Sequence, residues 1–103
     1  MSPEAAQKIL KLLGLGARGR LVVVGAEQVR AAAKKGKLSL AVVASDASEN
    51  SRDKVLTVLK AKNIRAIEGI SAADLGSAFG RDSTAAVGVL DSALAAGIRQ
   101  AAG

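Results

Sequence analysis

Seven consecutive residues, Leu38-Ser39-Leu40-Ala41-Val42-Val43-Ala44, hold one polar side chain and then give way to Ser45-Asp46-Ala47-Ser48-Glu49-Asn50. An apolar run this short, between segments of helical periodicity, reads as a central strand buried on both faces. Open α/β sheets place their ligands at the C-terminal ends of such strands. The first expectation is therefore a buried strand that delivers a polar loop to a binding surface.

The rest of the chain alternates around that strand. Ser2-Pro3-Glu4 is a helix start, with a capping hydroxyl, proline at the first helical position and an acid in the first turn. Ile9, Leu10, Leu12 and Leu13 supply its apolar face, and Gly14 and Gly16 are expected to end it. Residues 14–19 match the glycine spacing of a dinucleotide-binding loop. That loop should follow a strand and open a helix, whereas this one follows a helix, so a basic linker is the better reading. Leu21 to Val24 is a short strand ended by Gly25. Residues 26–35 form a helix with Val29, Ala32 and Ala33 inward, Arg30 and Lys34 outward, and Gly36 as its stop.

After the central strand, a helix over residues 48–62 is capped by Ser48 or Asp46 and buries Val55, Leu56, Val58 and Leu59. Its Arg52, Lys54, Lys60 and Lys62 face solvent. Residues 64–67 are a strand, Ser71 opens a short helix that ends near Gly80, residues 84–90 are a fourth strand, and Asp91-Ser92 begins a last helix. The order α-β-α-β-α-β-α-β-α predicts an α/β fold: a three-layer α/β/α sandwich, with a mixed four-stranded sheet and helices on both faces. At 103 residues, with no long linker, the chain is expected to be a single domain over residues 1–103.

Composition narrows the function. Phe79 is the only aromatic residue, so base-stacking platforms are excluded. The absence of Cys and His excludes zinc sites with those ligands, disulfides, Ser-His-Asp triads and thiol catalysis. No apolar run approaches the length of a membrane span, and Met1-Ser2-Pro3-Glu4 lacks the basic lead of a signal peptide. A cytoplasmic location is expected. The net charge of +6 points to a polyanionic partner, most often nucleic acid. Residues 1–37 carry eight basic side chains against two acids, while residues 66–103 carry two against four.

The acids form no convincing catalytic set. Asp46 and Glu49 lie close together after the central strand and could hold Mg²⁺ or act as an acid–base pair. Helix capping is the better reading, so no enzyme, cofactor, metal or small-molecule substrate is expected. The junctions are more informative. Gly25 leaves free N–H groups at a helix start, with Glu27 and Gln28 in the first turn. Ser45-Asp46-Ala47 leaves the sheet at the same edge. The loop Gly80-Arg81-Asp82-Ser83-Thr84 reaches that edge only if the strand after it runs antiparallel, which the sequence does not decide.

Three segments, in order, resemble the kink-turn-binding ribosomal protein superfamily of archaeal L-seven-Ae and eukaryotic L-thirty-e type, most closely a bacterial YlxQ-like branch. They are the eleven-residue step from Gly25 to Gly36, the apolar strand ending in Ala44-Ser45-Asp46-Ala47-Ser48, and Leu75-Gly76-Ser77-Ala78-Phe79-Gly80-Arg81, close to the family's Leu-Gly-x-Ala-x-Gly-Lys/Arg. The resemblance implies an α/β/α sandwich that binds sharply bent RNA, with the ribosome as one setting; the alternative is a protein-interaction or assembly module on the same scaffold with only generic RNA affinity. A non-catalytic monomer is expected.

Carried over by position, the family's Asn-Glu-x-x-Lys falls on Glu27, Gln28 and Ala31, with Gly25 and Ala26 before it. In the family it resembles, the side chains at these positions meet sheared G·A pairs and the kinked backbone. Glu27 accepts from a guanine edge and Gln28 both donates and accepts. Arg30 or Lys34 substitutes for the lost lysine, and Lys35 falls where archaeal members often carry a base. The loop that packs on flipped-out nucleotides falls on Arg81, Asp82, Ser83 and Thr84, with Asp82 in place of an apolar residue. Arg20 and Asp46 complete the expected RNA-facing set.

Overall fold

The computed structural model describes residues 1–103 and has the element order α1 (Pro3–Arg18), β1 (Val22–Val24), α2 (Ala26–Lys34), β2 (Leu40–Val43), α3 (Glu49–Ala61), β3 (Ala66–Ile67), α4 (Ala72–Ser77), β4 (Ala86–Val89) and α5 (Ser92–Ala102). The four strands form one mixed sheet in the order β1-β4-β2-β3. β4 pairs antiparallel with β1, Val22 opposite Val89, and antiparallel with β2, Val42 opposite Val87. β2 and β3 run parallel, with Ala41 opposite Ala66. The expected α/β/α sandwich with a mixed sheet is the fold observed.

The period-2 geometry of β2 divides the core. Leu40, Val42 and Ala44 face one helical layer with Ile9 and Leu13 of α1, Leu75 of α4, and Ala95 and Ile98 of α5. Ala41 and Val43 face the other, with Val29 and Ala33 of α2 and Val55 and Leu59 of α3. Residues 40–44 are at most 1% exposed, as expected of a central strand. Each fully buried Val, Leu or Ile is worth about 1.5–3 kcal/mol of burial free energy. β4 is buried along its whole length too and bonds on both sides, so it shares the central role.

Three local expectations are corrected. α1 does not stop at Gly14 but runs through Gly14 and Gly16 to Arg18, so most of the expected basic linker is helix. Gly16 is there for close approach: a Cβ would lie 2.5 Å from Cδ2 of Leu94 and 3.1 Å from Cγ1 of Val22. Packing of α1 on α5 and β1 offsets the roughly 1 kcal/mol that a helical glycine costs. The second correction concerns Asp46, which does not cap α3. Ser48 alone does, its Oγ accepting from the Ser51 N–H at 3.2 Å, while Asp46 Oδ1 accepts from the Ala72 N–H of α4 at 2.7 Å. The third is Arg52, half-buried rather than free, and ion-paired with Glu68 after β3. That carboxylate, through hydrogen bonding and charge, raises the Arg52 pKa above its ordinary value.

Candidate nucleic-acid interface

The antiparallel direction of β4 decides which loops meet. β1, β2 and β3 all end at one edge of the sheet, and β4 begins there. The Gly25 N–H donates to the Ala86 carbonyl at 2.8 Å, the Ala44 N–H to Ala85 at 2.8 Å, and the Ser45 N–H to Ile70 at 2.9 Å. The loops at residues 25–28, 45–48 and 80–84 thus converge on one end, with the start of α4 between the last two.

Each loop is held by a specific local device. Gly25 has φ +107°, a conformation costly for any other residue, and nothing lies within 4 Å of where its Cβ would be. It serves the turn, not the packing. Residues 81–84 are clamped by backbone: the Arg81 N–H donates to the Gly76 carbonyl and the Thr84 N–H to Ala72, both at 3.0 Å. A Cβ at Gly76 would lie 2.6 Å from the Cα of Ser83, so α4 and this loop touch only because residue 76 is glycine. The Leu-Gly-x-Ala-x-Gly-Arg pattern is a packing rule.

The start of α2 differs from every other helix start. Side chains of Ser2, Ser48, Ser71 and Asp91 cap α1, α3, α4 and α5, whereas α2 opens on Gly25 with no side-chain acceptor. A side-chain cap is worth about 1 kcal/mol, so α2 forgoes that stabilisation and keeps its first-turn N–H groups available to an acceptor from outside. Glu27 and Gln28 are exposed in that turn. Glu27 is also held by Arg30, whose Nη1 donates to its two carboxylate oxygens at 3.1 and 3.4 Å. Arg30 Nε is buried without a partner. The pair offsets the Glu27 charge at the mouth of the site.

The expected residues do not all sit together. Gly25, Ala26, Glu27, Gln28, Asp46, Arg81, Asp82 and Ser83 share the converged end. Thr84 lies there too, but its side chain is 6% exposed and its hydroxyl donates to the Ala86 carbonyl at 3.3 Å, so it presents no group to a ligand. Arg20 precedes β1, and Lys34 and Lys35 end α2, which places all three at the opposite end of the sheet. Gln28, Ala31 and Lys35 form a stripe along α2 and, with Lys37, Val23 and Leu90, line a shallow depression of about 220 Å³ leading from one end toward the other. Spacing on α2 made that stripe findable. The i,i+3 spacing of Glu27 and Arg30 on α2 is itself a signal for their pair, whereas the Asp46–Ala72 tie had none.

No three carboxylates gather as a metal site, and Asp46 already spends an oxygen on a backbone N–H. No helix is long and apolar enough to cross a membrane.

The sequence profile of the ribosomal protein L7Ae/L30e/S12e/Gadd45 family matches residues 7–96. Among solved structures, a protein of unknown function from Bacillus halodurans C is 30% identical, with a TM-score of 0.85, over 92% of this chain and 96% of that one. A Giardia lamblia 15.5 kD RNA-binding protein is similar in fold, with a TM-score of 0.79 at 21% identity over 99% of this chain and 88% of its own. No curated protein matches the chain.

Proposed function

Because the chain belongs to the ribosomal protein L7Ae/L30e/S12e/Gadd45 family, we propose that it is a non-catalytic RNA-binding protein that recognises a kink-turn or related internal loop, with ribosomal RNA the first candidate source. In this reading residues 1–103 act as one cytoplasmic, monomeric RNA-binding domain. The observation that carries the proposal is the meeting of three loops beside the one helix start that lacks a side-chain cap.

A phosphate or base acceptor takes the free N–H groups of Ala26, Glu27 and Gln28 in the first turn of α2, the Gly25 N–H being bonded to the Ala86 carbonyl. The Gln28 amide donates and accepts at a base edge, and Glu27, steadied by Arg30, accepts from guanine amino or imino groups. Arg81 supplies the local cation, and Ser83 a hydroxyl. Asp46 works as a tie that holds the neighbouring loop in place. Glu27, Asp46 and Asp82 would repel a straight, closely apposed phosphate backbone, and they favour a partner that presents splayed base edges.

The test is a titration of fluorescently labelled kink-turn RNA against a straight RNA duplex of equal length at two salt concentrations. The expected result is tighter binding to the kink-turn at both. Equal, steeply salt-dependent binding to the two would leave only a generic basic surface, or a protein-assembly role for this edge, and would overturn the proposal.

A further inference from the structure

At the sheet end opposite Gly25, three helix-to-strand connections come together, and each is basic. The first carries Arg18 and Arg20, the second Lys34, Lys35 and Lys37, the third Lys60, Lys62 and Arg65. All eight side chains are exposed. None is paired with a carboxylate, since the molecule's two ion pairs are Arg30 with Glu27 and Arg52 with Glu68. One acid, Asp91, lies at this end, and its Oδ2 is occupied by the Leu94 N–H at 2.8 Å. Glu27, Asp46, Glu49, Glu68 and Asp82 lie at the other end. The chain's net charge of +6 is therefore carried at the pole away from the converged loops.

Helix dipoles explain part of this. Arg18, Lys34 and Lys60 sit in last helical turns, where a cation is favoured. Lys35 and Lys62 are the C-caps of α2 and α3, but Arg20, Lys37 and Arg65 lie beyond the helix ends and are not explained that way. Arg20 is the telling case. It has φ +59°, a left-handed conformation that costs an L-residue about 1–2 kcal/mol, yet glycine stands one position earlier, at Gly19. The corresponding turn after α2 uses Gly36 at φ +70°. A charge is kept where glycine would be unstrained, and such outliers point to function.

We infer that this pole is a second RNA contact surface, distinct from the loop edge, that binds the phosphate backbone without regard to sequence. The inference rests on the proposed RNA-binding function and divides its labour. An acidic edge can select a bent RNA by shape and base pattern but supplies little general attraction. The pole supplies the neutralising charge that draws the RNA in. The molecule spans 30 × 28 × 25 Å, so the two ends of the sheet lie within one short stem of each other. A stem leaving the loop edge along the Gln28–Ala31–Lys35 stripe therefore reaches Lys37 and its neighbours.

The test uses the full chain and compares two triple variants of equal charge change, Lys37→Ala/Lys62→Ala/Arg65→Ala at the pole and Lys8→Ala/Lys11→Ala/Lys54→Ala elsewhere. Both are titrated against labelled kink-turn RNA and straight RNA duplex from about 50 to about 200 mM KCl. The pole variant is expected to lower the salt-dependence slope by about 2–3 and to weaken binding to both RNAs at low salt by at least about tenfold, leaving the preference for the kink-turn intact. The second variant should change the slope by less than about 1. An unchanged slope in the pole variant, or equal changes in both variants, overturns the inference. Loss of kink-turn preference in the parent protein would instead overturn the proposed loop-edge function and leave the pole's slope to be judged on its own. Thermal midpoints of the variants confirm that all remain folded.

Discussion

At the Gly25 end of the sheet, position is fixed by backbone. Gly76 lets α4 touch Ser83, Asp46 ties one loop to the next, and Glu27 is held by Arg30. At the other end nothing clamps the side chains, and flexible lysines and arginines stand free on tight turns. The first kind of construction holds a shape within fractions of an ångström, as recognition of base edges requires. The second holds only charge, and long-range attraction to phosphates requires no more. In the proposed division of labour, one small sheet puts specificity and affinity at opposite ends of its strands.

The comparison can be broken most severely at the clamp. Gly76→Val puts a side chain into the backbone of Ser83, and chemical denaturation should report a loss of about 3 kcal/mol, with kink-turn preference falling along with it. Retained preference in a folded variant would mean that the clamp does not shape the site. Next in size, Gln28→Ala should weaken kink-turn binding by about 1–3 kcal/mol and leave duplex binding unchanged, as read by anisotropy titration. Equal losses on both RNAs would assign Gln28 to the backbone. Asp46→Ala removes the acceptor of the Ala72 N–H and should cost about 1 kcal/mol of stability without changing the denaturant m-value.

Smaller effects sharpen the contrast. Arg20→Gly should separate stability from binding. Relief of the left-handed strain raises unfolding free energy by about 0.5 kcal/mol after the entropy of glycine is counted, while the salt slope of RNA binding falls by about 1. Losses in both would make Arg20 a structural residue. Lys11→Ala, on the outer face of α1, should alter kink-turn affinity by less than about 0.5 kcal/mol; a larger loss than that of Gln28→Ala would place the site on the wrong face.

Most of the architecture was legible in the sequence because each element carried its own period and stop. The β2 run announced burial on both faces, Gly25 and Gly36 bracketed α2, and the Ser71 cap marked α4. What was hidden depended on partners distant in the chain. Gly16 of α1 looked like part of a terminus because its reason for being small, the close approach of Leu94 and Val22, lies outside the helix. Asp46 stood three positions before an apolar helix and could have capped it, yet found the Ala72 N–H first. The candidate site was legible as residues but not as a place. Only the direction of β4 brings the Arg81 loop to the end of the sheet that holds Gln28, and no single segment encodes that direction.

That strand also sets a timetable. β1 has no hydrogen-bonded neighbour except β4, whereas β2 and β3 can pair as soon as α3 has formed between them. As the chain leaves the ribosome, β1 and α2 must wait for residues 86–89 before the first strand is bonded at all, a long-range closure of the kind that slows folding and makes it cooperative. The converged loops come into register in that same event. A nascent chain therefore exposes its basic turns early but completes its loop edge late.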